Sequence, residues 1–170
     1  MNRHPGGEEH TRHMLALAAL PEGARILDLG AGAGESVERM RALGYDAAGI
    51  DLEPRSDTVQ KGDLLHTGYP DASFDGVLSQ CAFFLSGDVP GAFRESYRLM
   101  KPGGALMVSD VCFEAPEPIA EAAGFRIEYA EDLTALWREY YLEALWRGTA
   151  ACCGIRGKCA YKLLICRKGG

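Results

Sequence analysis

Two carboxylates and a glycine cluster carry the clearest chemical potential in this 170-residue chain. Residues 25–35 read RILDLGAGAGE. Ile26, Leu27 and Leu29 are apolar around Asp28, and Gly30-Ala31-Gly32-Ala33-Gly34 follows. From Glu35 onward Val37, Met40 and Leu43 recur at helical spacing. The pattern predicts a strand, a glycine turn and a helix. Glycine has no Cβ, so its backbone lets a ligand come close. The helix N-terminus behind the turn offers free N–H groups and a partial positive charge. Such a turn suits the carboxylate or phosphate end of a nucleotide-like molecule. Taken alone it also fits a tight turn that binds nothing. Its spacing is G-x-G-x-G, with Glu35 standing where the G-x-G-x-x-G of dinucleotide folds has its third glycine. A second strand-like run, Asp46 to Asp51, ends in a carboxylate, and an acid at that place typically binds a ribose hydroxyl pair. The two features together specify a ligand with a ribose and a charged tail.

Thiols are the other reactive groups. Cys152, Cys153 and Cys159 lie in a glycine-containing loop. Three thiolates there could hold a soft ion such as zinc, copper(I) or trivalent arsenic. No C-x-x-C spacing supports zinc, and the alternative is incidental or redox-active surface thiols. Cys166 sits inside a predicted strand and reads as packing. His10 and His13 stand at i, i+3; two histidines make no metal site, and we read them as surface residues. No metal site is otherwise predicted.

These groups must be held by elements. Helices are predicted over Thr11–Leu20, Pro90–Met100 (Phe93, Tyr97 and Met100 inward), Pro116–Ala123 and Leu133–Arg147. Asp132 reads as the N-cap of the last, whose stripe of Leu136, Trp137, Tyr140, Ala144 and Leu145 reads as core. Strands are predicted at Thr58–Gln60, Phe74–Ser79, Ala105–Val111, Phe125–Tyr129 and Ala160–Arg167. The composition, 47% hydrophobic and 25% charged, is ordinary for one globular domain. The net charge of −6 and the lack of a basic block disfavour a nucleic-acid partner. No apolar run approaches a membrane span, and the first ten residues lack an apolar signal core. Six cysteines without such a signal suggest reduced thiols and a cytoplasmic location.

Four motifs fall in order over residues 25–110: the glycine turn with Asp51; Gly62-Asp63-Leu64; Phe74 to Ser79 (FDGVLS); and Leu99 to Gly104 (LMKPGG) leading into Ala105 to Asp110 (ALMVSD). With them the chain resembles the class I methyltransferases that use S-adenosylmethionine. Pro5-Gly6-Gly7 and Thr11 before the first helix also resemble small bacterial relatives of the arsenite methyltransferases. The resemblance implies an α/β fold, a doubly wound seven-stranded, mostly parallel sheet whose last strand runs antiparallel between the fifth and sixth. It implies one domain over 1–170, with an N-terminal helix over the site (1–24), a cofactor-binding half (25–111) and a C-terminal half (112–170). Asp28 and the backbone of Gly30, Ala31 and Gly32 would hold the methionine end. Asp51 would hold the ribose, Leu52, Asp63 and Leu64 the adenine. Ser79, Gln80 and Cys81 would lie beside the sulfonium, with Cys81 the candidate catalytic residue or, alternatively, a small buried one.

The chain departs from that pattern after Asp51. Only EPRSDTVQK separates Leu52 from Gly62, where family members place a helix. The expected consequence is a thinly covered adenine site and exposed apolar sheet surface, which a second copy in a homodimer would cover. The reading is therefore methyl transfer to a small-molecule acceptor, with a thiol or metalloid fitting because no residue declares itself as a general base. A non-catalytic S-adenosylmethionine-binding or partner-dependent module stays open. So does a nucleic-acid or protein methyltransferase, although Ser79-Gln80-Cys81-Ala82 lacks the Asn/Asp-Pro-Pro-Tyr signature of amino-directed enzymes.

Overall fold

A computed structural model describes residues 4–148 and 158–170. In chain order the elements are α1 (Gly7–Ala18), β1 (Arg25–Leu29), α2 (Glu35–Ala42), β2 (Asp46–Asp51), β3 (Val59–Lys61), β4 (Phe74–Gln80), α3 (Val89–Leu99), β5 (Met100–Cys112), α4 (Pro116–Ala122), β6 (Phe125–Asp132), α5 (Thr134–Trp146) and β7 (Ala160–Lys168). The seven strands form one sheet in the order β3-β2-β1-β4-β5-β7-β6. β1 pairs in parallel with β2 and β4, β2 with β3, and β4 with β5. β7 runs antiparallel to both β5 and β6, as expected.

Helices cover both faces, so the inner strands are apolar on both sides, as a buried parallel sheet requires. Under α1 and α2 lie Met14, Leu15, Val37 and Met40 against Ile26, Leu78, Met107 and Ile165. Under α3 and α4 lie Phe93, Leu99 and Ala120 against Leu29, Leu106, Val108 and Leu164. Phe83 and Phe93 meet edge to face at 5.2 Å, and Tyr97 meets Phe125 the same way at 5.1 Å. Each fully buried ring of this kind stabilises by roughly 2–3 kcal/mol through area alone. The sheet reverses direction of growth between β1 and β4. A ligand crevice forms outside the carboxyl ends of the strands at such a point.

Several boundaries differ from the sequence reading. α1 starts one turn earlier and stops at Ala18, where Ala19 takes a left-handed conformation two residues before Pro21. β5 starts at Met100, so Pro102 and the glycines lie within it, Pro102 and Gly103 exposed and Gly104 buried. β6 continues to Asp132, and α5 starts at Thr134. Asp132 still serves the helix end, accepting the Thr134 N–H at 2.9 Å. The stripe on α5 is not core. Ala144 is the buried residue of that helix, while Leu136, Leu142, Leu145 and Trp146 are exposed, Trp146 at 93%. Helical spacing reports amphipathicity, and it does not say what covers the apolar side.

The short β2–β3 connection also behaves differently from expectation. No helix forms between Asp51 and Val59, as predicted, yet the sheet is not left bare. The chain folds back over the glycine turn, the Arg55 N–H donating to the Gly32 carbonyl at 2.9 Å. A Cβ on Gly34 would meet Thr58 Oγ1 at 2.5 Å and Val59 Cγ2 at 3.1 Å. Leu64 and Leu65 pack on the core that contains Ile50. Ile50 and Val59 end at 2% and 5% exposure, so no apolar sheet face here calls for a second copy.

Candidate functional site

The glycine turn lies where β1 gives way to α2. Gly30 and Gly32 take positive φ of 83° and 55°, which glycine adopts without a Cβ penalty. A Cβ on Gly30 would collide with that of Ala82, so glycine here lets the turn rest against the residues that follow β4. The N–H groups of the turn are not free. Gly30 and Ala31 both donate to the Ile50 carbonyl (2.9 and 3.0 Å), and Gly32 donates to Asp51 Oδ2 at 2.8 Å. The expectation that these amides meet a ligand's anionic end would need those bonds to be shared or exchanged.

What the crevice floor offers is negative charge. Asp28, in β1, is 4% exposed; burial, with Asp51 nearby, pushes its carboxyl up to about 7. Asp51 ends β2 and is half-buried, its other oxygen accepting the Glu53 N–H at 2.9 Å. Two carboxylates within electrostatic reach of each other, with the neighbouring amides already consumed, suit a ligand whose charged part is a cation.

The predicted adenine residues gather at the ends of β2 and β3. The Gly62 N–H donates to the Asp51 carbonyl at 3.0 Å, bringing the Asp63 loop beside β2. Asp63 Oδ1 accepts the Leu65 N–H at 2.8 Å, and its other oxygen lies 3.5 Å from His66. Leu64 is half-buried; Leu52 is 61% exposed.

At the end of β4 the three predicted residues divide. Ser79 is fully buried and turns its hydroxyl onto the Leu29 carbonyl at 3.0 Å, tying β4 to β1. Gln80 is a hub: its Oε1 accepts from Thr11 and Ser36, each at 3.1 Å, and its Nε2 lies 3.3 Å from His4 Nδ1. It thereby fixes α1 and α2 to the crevice. Cys81 takes a left-handed φ of 57°, which costs a non-glycine residue about 1–2 kcal/mol. Its N–H donates to the Ser109 carbonyl at 2.9 Å, and its Sγ lies 3.3 Å from the Tyr161 hydroxyl.

Behind Cys81 runs a buried polar chain absent from the sequence reading. Ser109 Oγ donates to the Tyr161 hydroxyl at 2.8 Å and shares a 2.8 Å hydrogen bond with His10 Nε2. His10 is 6% exposed, so its assignment to the surface is corrected. Burial, with His4 and His13 nearby, lowers its pKa to about 4, and it is neutral at pH 7. Tyr140, from α5, is close enough for the Cys81 thiol to raise its hydroxyl pKa, after burial. The signal that could have marked His10 was its place in α1 beside Met14, four residues apart on one face.

Cys112 points to the α3/α4 side of the sheet, its Sγ 3.6 Å from the Ala160 carbonyl; burial pushes it up to about 11. Cys166 is fully buried packing, as predicted. Cys159 is half-buried, while Cys152 and Cys153 lie outside the described residues. Among the described residues no group of His, Cys, Asp or Glu is arranged to hold a metal ion, and no helix is long and apolar enough to cross a membrane.

Comparison with known proteins gives this geometry relatives. Residues 27–108 match the family described as a methyltransferase domain. Phosphoethanolamine N-methyltransferase from Triticum aestivum is 31% identical over 144 residues, 75% of this chain and 28% of the relative. Arsenite methyltransferase from Halobacterium salinarum is 31% identical over 121 residues, 61% of this chain and 31% of the relative. The chain thus spans less than a third of the length of either. Phosphoethanolamine N-methyltransferase 2 from Haemonchus contortus, solved with phosphomonomethylethanolamine and S-adenosylhomocysteine, superposes with a TM-score of 0.80 at 20% identity. That match covers 98% of this chain and 54% of the other.

Proposed function

The chain belongs to the class I S-adenosylmethionine-dependent methyltransferase family, and from that premise we propose that it transfers a methyl group from S-adenosylmethionine to a small-molecule acceptor. The observation that carries the reading is the pair of carboxylates, Asp28 and Asp51, at a glycine turn whose amides are consumed. S-adenosylmethionine bears a sulfonium and a zwitterionic amino-acid end, and its sulfonium and ammonium suit that floor. When bound, it supplies a methyl group already activated for transfer, so the chain's own task is to bind, orient and exclude water. Asp28 and the carbonyl edge of the turn from Gly30 to Gly32 take the methionine end. Asp51 has spare acceptor capacity for the ribose hydroxyls. Leu52, Asp63 and Leu64 border the adenine. Ser79 and Gln80 hold the frame beside the sulfonium, and Cys81 presents its thiol to the crevice.

For the acceptor we favour a thiol or metalloid, because Cys81 is held in a strained conformation at the end of β4. Relatives named for phosphoethanolamine and for arsenite make an amine the competing acceptor. Reduced thiols fit a cytoplasmic location. The test is release of S-adenosylhomocysteine by the reduced protein with arsenite plus glutathione, with 2-mercaptoethanol, and with phosphoethanolamine, followed by mass spectrometry. Acceptor-dependent release supports transfer, and the acceptor that drives it decides between the classes. Cofactor binding without release under any condition would favour the second reading, a partner-dependent binding module. The exposed apolar side of α5 is the observation that keeps that reading in view.

A further inference from the structure

A cavity of about 300 Å³ opens between α3, α4 and the carboxyl end of β5. It lies on the α3/α4 side of the sheet, above Val108 and Leu164, whereas His10 in α1 and Tyr161 serve the other side. Its volume is at the small end of ligand sites. Four rings line it: Phe83, Phe84, Phe93 and Phe113. Phe83 and Phe93 are fully buried, and Phe84 and Phe113 face each other at 5.4 Å with Phe113 46% exposed. The body of a ligand here is therefore flat and apolar.

Charge selects its polar group. Asp110 is 8% exposed in the cavity wall. Its carboxylate accepts the Phe84 N–H at 3.1 Å and the Val111 N–H at 2.7 Å, and the backbone of Phe83 and Ala82 also leans on it, so what it offers a ligand is chiefly its charge. Glu114 adds a second acid to the lining. Lys162, the cation among the lining residues, is tied to Glu117 at 2.6 Å and leaves the two acids uncompensated. Burial raises both the Asp110 carboxyl, to about 6, and the Cys112 thiol, so the thiol adds no charge at neutral pH. Cationic groups also gain from aromatic faces.

We propose that this cavity is a binding site for a small aromatic amine, its ring between the phenylalanines and its ammonium on Asp110. The proposal does not rest on methyl transfer, and its probes are titrated without cofactor. Tryptamine and indole-3-acetate share a ring and differ in charge. Each is titrated into the reduced, full-length protein at pH 7.5 by ligand-observed NMR. Tryptamine should bind at least about tenfold more tightly than indole-3-acetate. Asp110→Asn should remove that preference, and Phe113→Ala, at the exposed mouth, should weaken tryptamine several-fold. Ile119→Trp, which fills the cavity, should abolish binding while leaving S-adenosylmethionine binding as in the unmodified protein. Equal binding of the two probes, or no binding of tryptamine, overturns the proposal. So does tryptamine binding that neither Phe113→Ala nor Ile119→Trp changes. Should Asp110→Asn fail to fold through loss of its hold on Phe84, the other two variants still decide.

Discussion

Asp28 is placed where a carboxylate is costly and where a cation would make it useful. Its pKa in the folded protein, about 7, lies above that of an unfolded chain. The cost of ionising it is absent below about pH 4, grows as pH rises, and is complete above pH 7, where it amounts to roughly a few kcal/mol. Asp28→Asn should therefore raise the melting temperature of the ligand-free protein at pH 8, raise it less at pH 5 and change it little below about pH 4, as read by thermal denaturation. The same residue should make S-adenosylmethionine bind more tightly as pH rises from 6 to 8, by up to about tenfold per unit. In Asp28→Asn that slope should vanish and affinity should fall. A steep slope that survives the substitution would assign the titration elsewhere. Asp28 and Asp51 were legible as chemical residues because each sits at a strand end in a recognisable pattern. His10, Ser109 and Tyr161 were not. Their hydrogen bonds link positions 99 and 52 residues apart, and no local pattern records such a meeting.

At the level of elements, the glycine turn and the shortened connection support one another. Gly34 has a positive φ of 83° and a neighbour, Thr58, already within reach of a Cβ. Gly34→Ala should destabilise the protein by about 1–3 kcal/mol in urea unfolding, from backbone strain and the displaced segment together. A loss below about 0.5 kcal/mol would mean that the connection does not lean on the turn. The helices differ in a way their sequences concealed. α3 buries Phe93 at 1% exposure, whereas Leu142 of α5 is 64% exposed. Phe93→Ala should cost about 3–5 kcal/mol and Leu142→Ala less than about 0.5, measured in the same unfolding series. Apolar residues at helical spacing leave open whether another element lies against them, and on α5 Leu136 and Leu145 of the predicted stripe stay exposed. Turn chemistry was the more faithful guide. Asp88 accepts the Gly91 N–H at 2.8 Å to start α3 beside Pro90, where the helix had been placed.

The whole molecule is a sheet clamped between two helix layers, with its chemistry along one edge. The antiparallel last strand between the fifth and sixth was implied by the family resemblance that the four motifs carry, and the sheet has it. The way the sheet copes without a helix after β2 did not follow, because it depends on Arg55, Thr58 and Leu64 finding the turn and Ile50 in space. The central claim is that the crevice beside Asp51 holds S-adenosylmethionine. Calorimetric titration of S-adenosylmethionine into the reduced protein and into Asp51→Ala at pH 7.5 tests it most directly. The account predicts a micromolar dissociation constant for the first and at least about tenfold weaker binding for the second. No heat up to about 1 mM S-adenosylmethionine, or equal affinity in the two proteins, would contradict it.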